Sequence, residues 1–274
     1  MNIGNRRQNN EDNLYFNGIF LTAETRDQPA EFKNICGEKR QFYAVCDGMG
    51  GEQMGELASL TTVETLHKYA ELLKREPGNN MDAQIERCII EANGLICGVQ
   101  KSLGAKRIGT TMALLAVEDR IAYLYNIGDS RIYLLRKGRL EQLSEDHTTV
   151  AMAVKSGILT PEQAKTHPHR NHLTQYVGID AAEMVIEAHK TTIQMKNNDM
   201  FLLCSDGLTD MVDEPEIKCI INSINSIDKI DKIDKIDKNR QPAEAARKLV
   251  DAALSRSGKD NITAVVLSYC RSIL

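Results

Sequence analysis

Four acidic segments, far apart in the chain, each set a carboxylate beside a turn-forming residue: Asn10-Glu11-Asp12, Asp47-Gly48-Met49-Gly50-Gly51, Ser205-Asp206-Gly207 and Asp260-Asn261. Carboxylates gathered in one cleft repel each other, and a hard divalent cation is the least costly relief. Asp47, Asp206 and Asp260 supply oxygen ligands only, which favours Mg2+ or Mn2+ over Zn2+ or Cu2+. Nothing in the chain resembles the dense twelve-residue calcium loop. Gly48, lacking a Cβ, lets the chain turn sharply and present its own carbonyl beside Asp47. Hard metals in such a cleft acidify water and neutralise a phosphate that bare carboxylates would repel. Phosphate recognition then asks for a fixed cation. Arg7, four residues before Glu11, is the natural choice because a guanidinium grips two phosphate oxygens at once; chemistry alone leaves the adjacent Arg6 open. Spacing by itself leads as far as metal-dependent hydrolysis of a phosphoester.

The acids need a scaffold that brings them together. Three of the segments border short apolar runs: Phe42–Cys46 before Asp47, Met200–Cys204 before Asp206, and Ile262–Leu267 after Asn261. Such runs read as buried strands, whose ends aim their terminal residues into a common cleft. Residues 13–25 also look strand-like, as does Gln41–Cys46. A long helix is expected from Glu52 to Pro77-Gly78, and a second carries Ile85, Cys88, Ile89, Ala92, Leu95, Ile96, Val99 and Leu103 on one face. The period then changes. Thr110–Val117, Ile121–Ile127, Arg131–Arg136 and Leu140–Leu143 form a hairpin meander, so the sheet is largely antiparallel. Residues 145–180 are polar, with helical fragments at Thr148–Ser156 and Pro161–Lys165. Strands resume at Met184–Ile193, Met200–Cys204 and Ile262–Leu267, with helices near Glu214–Ile224 and at Pro242–Arg256. The fold class is therefore α+β: two stacked, mainly antiparallel sheets flanked by helix pairs.

Composition sets the bounds. The 274 residues are 42% hydrophobic and 26% charged, ordinary for a globular protein. No interior linker divides them, so a single domain over 1–274 is expected, with an inserted lobe at 145–180. Four tandem Ile-Asp-Lys units at Ile227–Lys238 match neither helix nor strand period and read as a solvated surface connection within 225–240. A net charge of −4 gives no electrostatic case for nucleic acid or an anionic membrane. The apolar stretches are too short for a membrane span, and no apolar segment follows the first residues as in a secretory signal. Seven cysteines, an odd number with no Cys-x-x-Cys pair, fit a reduced, cytoplasmic setting.

Read in order, Arg7-x-x-x-Glu11-Asp12, the Asp47-Gly48-Met49-Gly50-Gly51 turn, Gly109-Thr110-Thr111, Gly128-Asp129-Ser130-Arg131, Asp146-His147-Thr148, Ser205-Asp206-Gly207 and Asp260-Asn261 span nearly the whole chain. The series resembles the metal-dependent serine/threonine protein phosphatases of the protein phosphatase 2C type, in their compact bacterial form. The resemblance implies hydrolysis of phosphoserine and phosphothreonine in proteins by a metal-activated water, with no phosphoenzyme. It implies that Asp47 bridges two Mg2+ or Mn2+ ions with help from the Gly48 carbonyl, and that Asp206 and Asp260 complete the first site. Asp129 with Asp206 matches the position of a third, weaker ion. Glu11 and Asp12 match groups that orient water around the metals, and Arg7 matches the phosphate-binding arginine. The segment 145–180 matches a mobile flap that influences substrate choice. Partners implied are phosphorylated proteins and a cognate serine/threonine kinase; a monomer is expected. The alternatives are a catalytically inactive partner-binding relative and a small-molecule phosphoesterase.

One departure stands out. Animal members carry histidine in the middle of the Asp-Gly-x-Gly-Gly turn, whereas Met49 here cannot donate a proton, so the acid for the leaving group is unassigned. Several residues have plainer readings. Asp129 alone could be a tight hairpin turn. Thr110 and Thr111 read as sheet packing near the site. His167, His169 and His172 lie in a polar segment without a compelling ligand pattern and read as a solvated loop.

Overall fold

The computed structural model describes residues 1–34, 36–50, 54–76, 78–104, 107–227 and 240–270. Gly51, Glu52, Pro77 and nearly all of the Ile-Asp-Lys repeat lie outside the described residues. One sheet is built from β1 (Asn13–Phe16), β2 (Ile19–Phe20), β3 (Arg40–Cys46), β6 (Met112–Glu118), β7 (Ile121–Ile127) and β10 (His189–Gln194), in the order β10-β7-β6-β3-β1-β2. The other uses β8 (Arg131–Arg136), β9 (Arg139–Gln142), β11 (Asp199–Cys204) and β12 (Ala264–Tyr269), in the order β12-β11-β8-β9. A short ladder joins β4 (Gly48–Met49) to β5 (Gly109–Thr110). Every described pairing is antiparallel.

That register explains how distant acids meet. Asn13 pairs with Cys46, Val45 with Ala113 and Met112 with Ile127. In the second sheet Cys204 pairs with both Arg131 and Ala264. The starts of β1, β6, β8 and β12 and the ends of β3, β7 and β11 therefore share one edge of the molecule. Asp12, Asp47, Asp129, Asp206 and Asp260 all stand just beyond these strand termini.

The layers follow from alternation of side chains along each strand. In β3, Phe42, Ala44 and Cys46 face a helix pair, while Tyr43 and Val45 face the other sheet. In β11, Met200, Leu202 and Cys204 face a second helix pair, and Phe201 and Leu203 point inward. Burial on both faces is why these strands read as unbroken apolar runs. The first pair is α1 (Gly55–Arg75) and α2 (Met81–Leu103); the second is α6 (Glu214–Ile227) and α7 (Arg240–Ser255). Ala58, Thr62, Leu66, Ala70 and Leu73 form the buried stripe of α1. α2 starts at Asn80, whose side chain accepts from Ala83 N, and stops at Gly104 in the left-handed conformation (φ 62°). Arg40 fastens sheet to helix layer: its guanidinium, 6% exposed, donates to the Leu73 carbonyl at 2.7 Å and to Glu118 Oε1 at 2.7 Å. The order helix pair, sheet, sheet, helix pair bears out the α+β expectation.

Several details differ from the sequence reading. Residues 13–25 are not one strand; β1 and β2 form a hairpin whose turn residues Asn17 (φ 48°) and Gly18 (φ 110°) both have positive φ, and 21–25 lie outside it. Leu95 and Leu103 are exposed rather than on the buried face of α2. The strand expected from Met184 begins only at His189, and α5 (Asp206–Thr209) was not foreseen. The meander does not stay in one sheet. β7 belongs to the first sheet and β8 to the second, so Gly128-Asp129 is a crossover between sheets rather than a hairpin turn.

A cavity of about 740 Å³ opens between the sheets, among Leu14, Tyr43, Leu115, Phe201, Val265 and Leu267. Its lining includes none of Asp47, Asp129, Asp206 or Asp260. Among the described residues, no helix is long and apolar enough to cross a membrane.

Candidate metal centre

Asp47 is held by its backbone. Its N–H donates to Thr111 Oγ1 at 2.9 Å, and its carbonyl accepts from Thr111 N and Thr110 Oγ1, each at 2.9 Å. Thr111 Oγ1 is in turn 2.7 Å from Ser130 Oγ, beside Asp129, so the two acidic turns share one hydrogen-bond chain. Gly48 is needed for close approach rather than for an unusual φ. A Cβ there would run into the carbonyl of Gly55 at the start of α1 and of Glu11. Gly207 meets the same constraint against the carbonyl of Asn261.

Asp206 opens α5, directly after Ser205. Ser205 Oγ donates to Asp12 Oδ2 at 2.8 Å, and Thr263 Oγ1 donates to the same oxygen at 2.6 Å. The other Asp12 oxygen is buried with no hydrogen-bond partner. Asn261 ties the two chain ends together. Its Oδ1 accepts from Glu11 N at 2.8 Å, and its Nδ2 donates to the carbonyls of Ile3 and Asn9 at 2.9 and 3.1 Å. Asp260 Oδ2 accepts from Arg7 at 2.7 Å; Glu11 lies 3.8 Å from the same guanidinium. Of the two candidate arginines, the structure brings Arg7 to the acids. Its side chain remains 44% exposed, and its own pKa is raised chiefly by the bond to Asp260.

Asp47, Asp129 and Asp206 keep part of their surface open while sitting deep among protein atoms, as expected of a cleft floor, and Asp260, its side chain 39% exposed, lies nearer the rim. Burial, and then the fields of Asp12, Asp206, Asp129 and Asp260, push the Asp47 carboxyl well above its ordinary range. Burial and then Asp206 do the same to Asp129. Asp206 is raised to about 6 by burial and by Asp210 and Asp260, and Asp12 to about 7 by burial against the relief of its two hydroxyl donors. Glu11 is raised mainly by burial. The group thus carries more negative charge than its surroundings relieve.

That excess is what a hard cation would cancel, and the donor set suits one. Asp47 with the Gly48 carbonyl, Asp206, Asp260 and Asp129 are oxygen donors that could hold it. No three carboxylate, imidazole or thiolate groups among the described residues close round a single point.

A family profile for protein phosphatase 2C matches residues 31–251. The chain belongs to the protein phosphatase 2C family. It is 29% identical over 266 residues to the serine/threonine phosphatase Stp of Listeria innocua, covering 96% of this chain and 92% of that one. Against the serine/threonine protein phosphatase PstP of Mycobacterium tuberculosis it is 33% identical over 228 residues, covering 82% of this chain but only 40% of that longer protein. Its fold is similar to the catalytic domain of PstP solved in complex with two manganese ions, with a TM-score of 0.73 and 28% identity over 98% of this chain and 96% of that one.

For a protein phosphatase 2C chain, the residues that sequence reasoning undervalued are those that hold the acids. Thr110 and Thr111 are bonded to the Asp47 peptide, not merely packed near it. Ser205 and Thr263 grip Asp12, and Asn261 spans both chain ends. Single hydroxyls and one amide leave no periodic signal, so only their adjacency to the acidic turns could have pointed to them. His147 accepts from Gly128 N through Nδ1 at 3.3 Å, and its backbone N–H donates to the Gly128 carbonyl at 2.9 Å. Burial lowers its pKa. It braces the crossover that carries Asp129.

Proposed function

We propose that the chain hydrolyses phosphoserine and phosphothreonine esters in proteins with a binuclear Mg2+ or Mn2+ centre. The observation that carries this reading is the convergence of Asp47, Asp129, Asp206 and Asp260 from separate strand termini, with Arg7 on Asp260 the one cation bonded to the four among the described residues. Family membership and the manganese-bound relative support it. The bound ions would supply an activated water and neutralise the phosphate.

The chain's own residues supply position. Asp47, the Gly48 carbonyl, Asp206 and Asp260 would hold the two ions between them, and Asp129 with Asp206 would hold a third, weaker one. Asp12, fixed by two hydroxyls on one oxygen, offers its unpartnered oxygen to orient water, and Glu11 does so from the rim. Arg7 presents a half-exposed fork of donors, steadied by Asp260, for the phosphate oxygens. The segment 145–180 borders this edge through Val177, which exchanges backbone hydrogen bonds with Thr110 at 2.8 and 2.9 Å, and serves as the flap that selects substrates. We read residues 1–274 as one catalytic unit, a monomer working in the cytoplasm against a serine/threonine kinase.

Phosphate release from a phosphothreonine peptide should depend on Mn2+ or Mg2+ and disappear in Asp47→Asn and Asp206→Asn. No turnover by the parent chain with either metal would favour an inactive binding relative. Faster turnover of nucleotides than of phosphopeptides would favour a small-molecule phosphoesterase.

A further inference from the structure

The histidines of the 145–180 segment look scattered in sequence but not in space. His169 Nδ1 lies 3.4 Å from His172 Nε2, with ring centroids 4.4 Å apart. His167 stands on the other side of His169, centroids 5.6 Å apart, and its Nδ1 accepts from His169 N at 3.2 Å. We propose that His169 and His172 form a binding site for an imidazole-preferring divalent metal such as Zn2+, separate from the carboxylate centre.

Geometry comes first. Zinc–imidazole bonds of about 2.0–2.1 Å at a tetrahedral angle put two ligating nitrogens about 3.3–3.4 Å apart. The facing nitrogens already have that spacing, and the rings, with centroids 4.4 Å apart, swing outward on binding so that both lone pairs meet one ion. Without a metal the same separation suits a hydrogen bond in which one ring donates its N–H to the other. Binding needs the donating ring to move its hydrogen to its opposite nitrogen, so that two bare nitrogens face the ion. No proton is lost and no ring becomes charged.

The backbone is already in place. Thr148 caps α3 (Thr149–Lys155) through its side chain, and the first residue of that helix reaches back to the turn. Thr149 N donates to the His172 carbonyl at 3.0 Å, and Thr149 Oγ1 donates to the His169 carbonyl at 3.1 Å. Within the turn, Arg170 N bonds the His167 carbonyl and His172 N bonds the His169 carbonyl, each at 3.1 Å. A pre-formed turn lowers the ordering cost of chelation. Both rings are solvent-exposed, so an ion can enter, and with two protein ligands water completes its shell.

Ligand type keeps the two centres apart. Imidazole suits Zn2+, Ni2+ and Cu2+, whereas carboxylate and carbonyl oxygen suit Mg2+ and Mn2+. The imidazole site also brackets Arg170, whose guanidinium bonds Asp210 at 2.8 Å. Asp210 follows α5 and bonds back to the Asp206 carbonyl at 2.7 Å. Zinc on His169 and His172 therefore fixes the turn that reaches across to the helix of Asp206.

The test is zinc titration of the full chain by calorimetry, with the imidazole site read as the uptake that persists in Asp47→Asn, where the oxygen centre is impaired. One equivalent of Zn2+ should bind in the micromolar range. His169→Gln or His172→Gln should weaken it at least about tenfold, whereas Asp47→Asn should leave it unchanged. Hydrogen exchange of the 166–174 amides should slow on zinc addition in the parent chain and not in the double histidine variant. Zinc uptake by Asp47→Asn that is unchanged when both histidines are also replaced, or no zinc uptake by Asp47→Asn at all, would overturn the proposal. Neither result bears on phosphatase activity, so the two readings stand or fall separately.

Discussion

The two ends of β3 bury charge in opposite ways. At its start, Arg40 is nearly inaccessible yet well provided for, with Glu118 and the carbonyls of Leu73, Glu76 and Asn79 all accepting from its guanidinium. At its end, Asp47 faces Asp12, Asp206, Asp129 and Asp260, and every one of them raises its pKa. A self-sufficient charge network is a structural joint: it ties the last turn of α1 to the sheet and asks nothing of the solvent. A network of uncompensated like charges is unfinished without an outside partner, and such frustration is a mark of a functional site. The contrast lies in the partners each charge meets, since both sit on the same strand of one rigid sheet.

Breaking the unfinished end should have the largest effect. Asp47→Asn removes one of the carboxylate charges proposed to hold the ions, and kcat on a phosphothreonine peptide should fall by about 10³-fold or more. The same change removes like-charge repulsion, so the metal-free variant should melt above the metal-free parent. A variant that loses activity and stability together would remove the distinction between the two ends of β3.

Breaking the finished end should do the reverse. Arg40→Met strands Glu118 and the carbonyls of Leu73, Glu76 and Asn79 at the end of α1 and in the connection after it, and should cost about 3 kcal/mol in urea unfolding. At the temperature where it remains folded, its kcat should stay within about twofold of the parent, because the two ends are far enough apart to act independently.

Charge at the unfinished end also sets a pH dependence. Asp206 near 6 and Asp12 near 7 are both raised above their ordinary values, principally by burial. A carboxyl raised on folding contributes stability that is complete below its unfolded pKa and is lost as pH rises through the folded value. The chelated chain should therefore lose about 5–10 °C of melting temperature between pH 5 and pH 8. Excess Mn2+ should flatten the slope, which differential scanning calorimetry would register. A metal-free chain equally stable at both pH values would mean that the acids are not crowded in solution.

Much of this was legible in the residues. The apolar runs before Asp47 and Asp206 announced strands because both faces are buried, and the acids at their ends marked the edge where function sits. Gly48 was legible as a constraint, but its reason was not: the sequence suggests a sharp turn, while the structure shows a packing contact with the carbonyl of Gly55. Sheet membership could not be read, since a strand carries no mark of which neighbour it joins. Asp129 therefore looked like a hairpin turn although it sits where the chain changes sheets. The pairing of His169 with His172 was hidden for a related reason. It depends on an irregular turn pinned by Thr149, and periodicity registers only regular elements.

The smallest of these effects probes how the unfinished end is held. Thr111 Oγ1 takes the Asp47 N–H and meets Ser130 Oγ, and the residue is 2% exposed. Thr111→Val keeps the shape but strands both partners, at about 1–2 kcal/mol of stability. Asp47 would then be fixed by its carbonyl alone. A shift well under an ångström in a carboxylate that positions the reacting groups should lower kcat about tenfold, with KM for the peptide little changed. Thr111→Ser restores the hydroxyl without the methyl and should recover most of kcat. If the serine variant were as slow as the valine one, the methyl packing against Gly128 would be what matters, and the hydroxyl chain linking Asp47 to the Asp129 turn would be incidental.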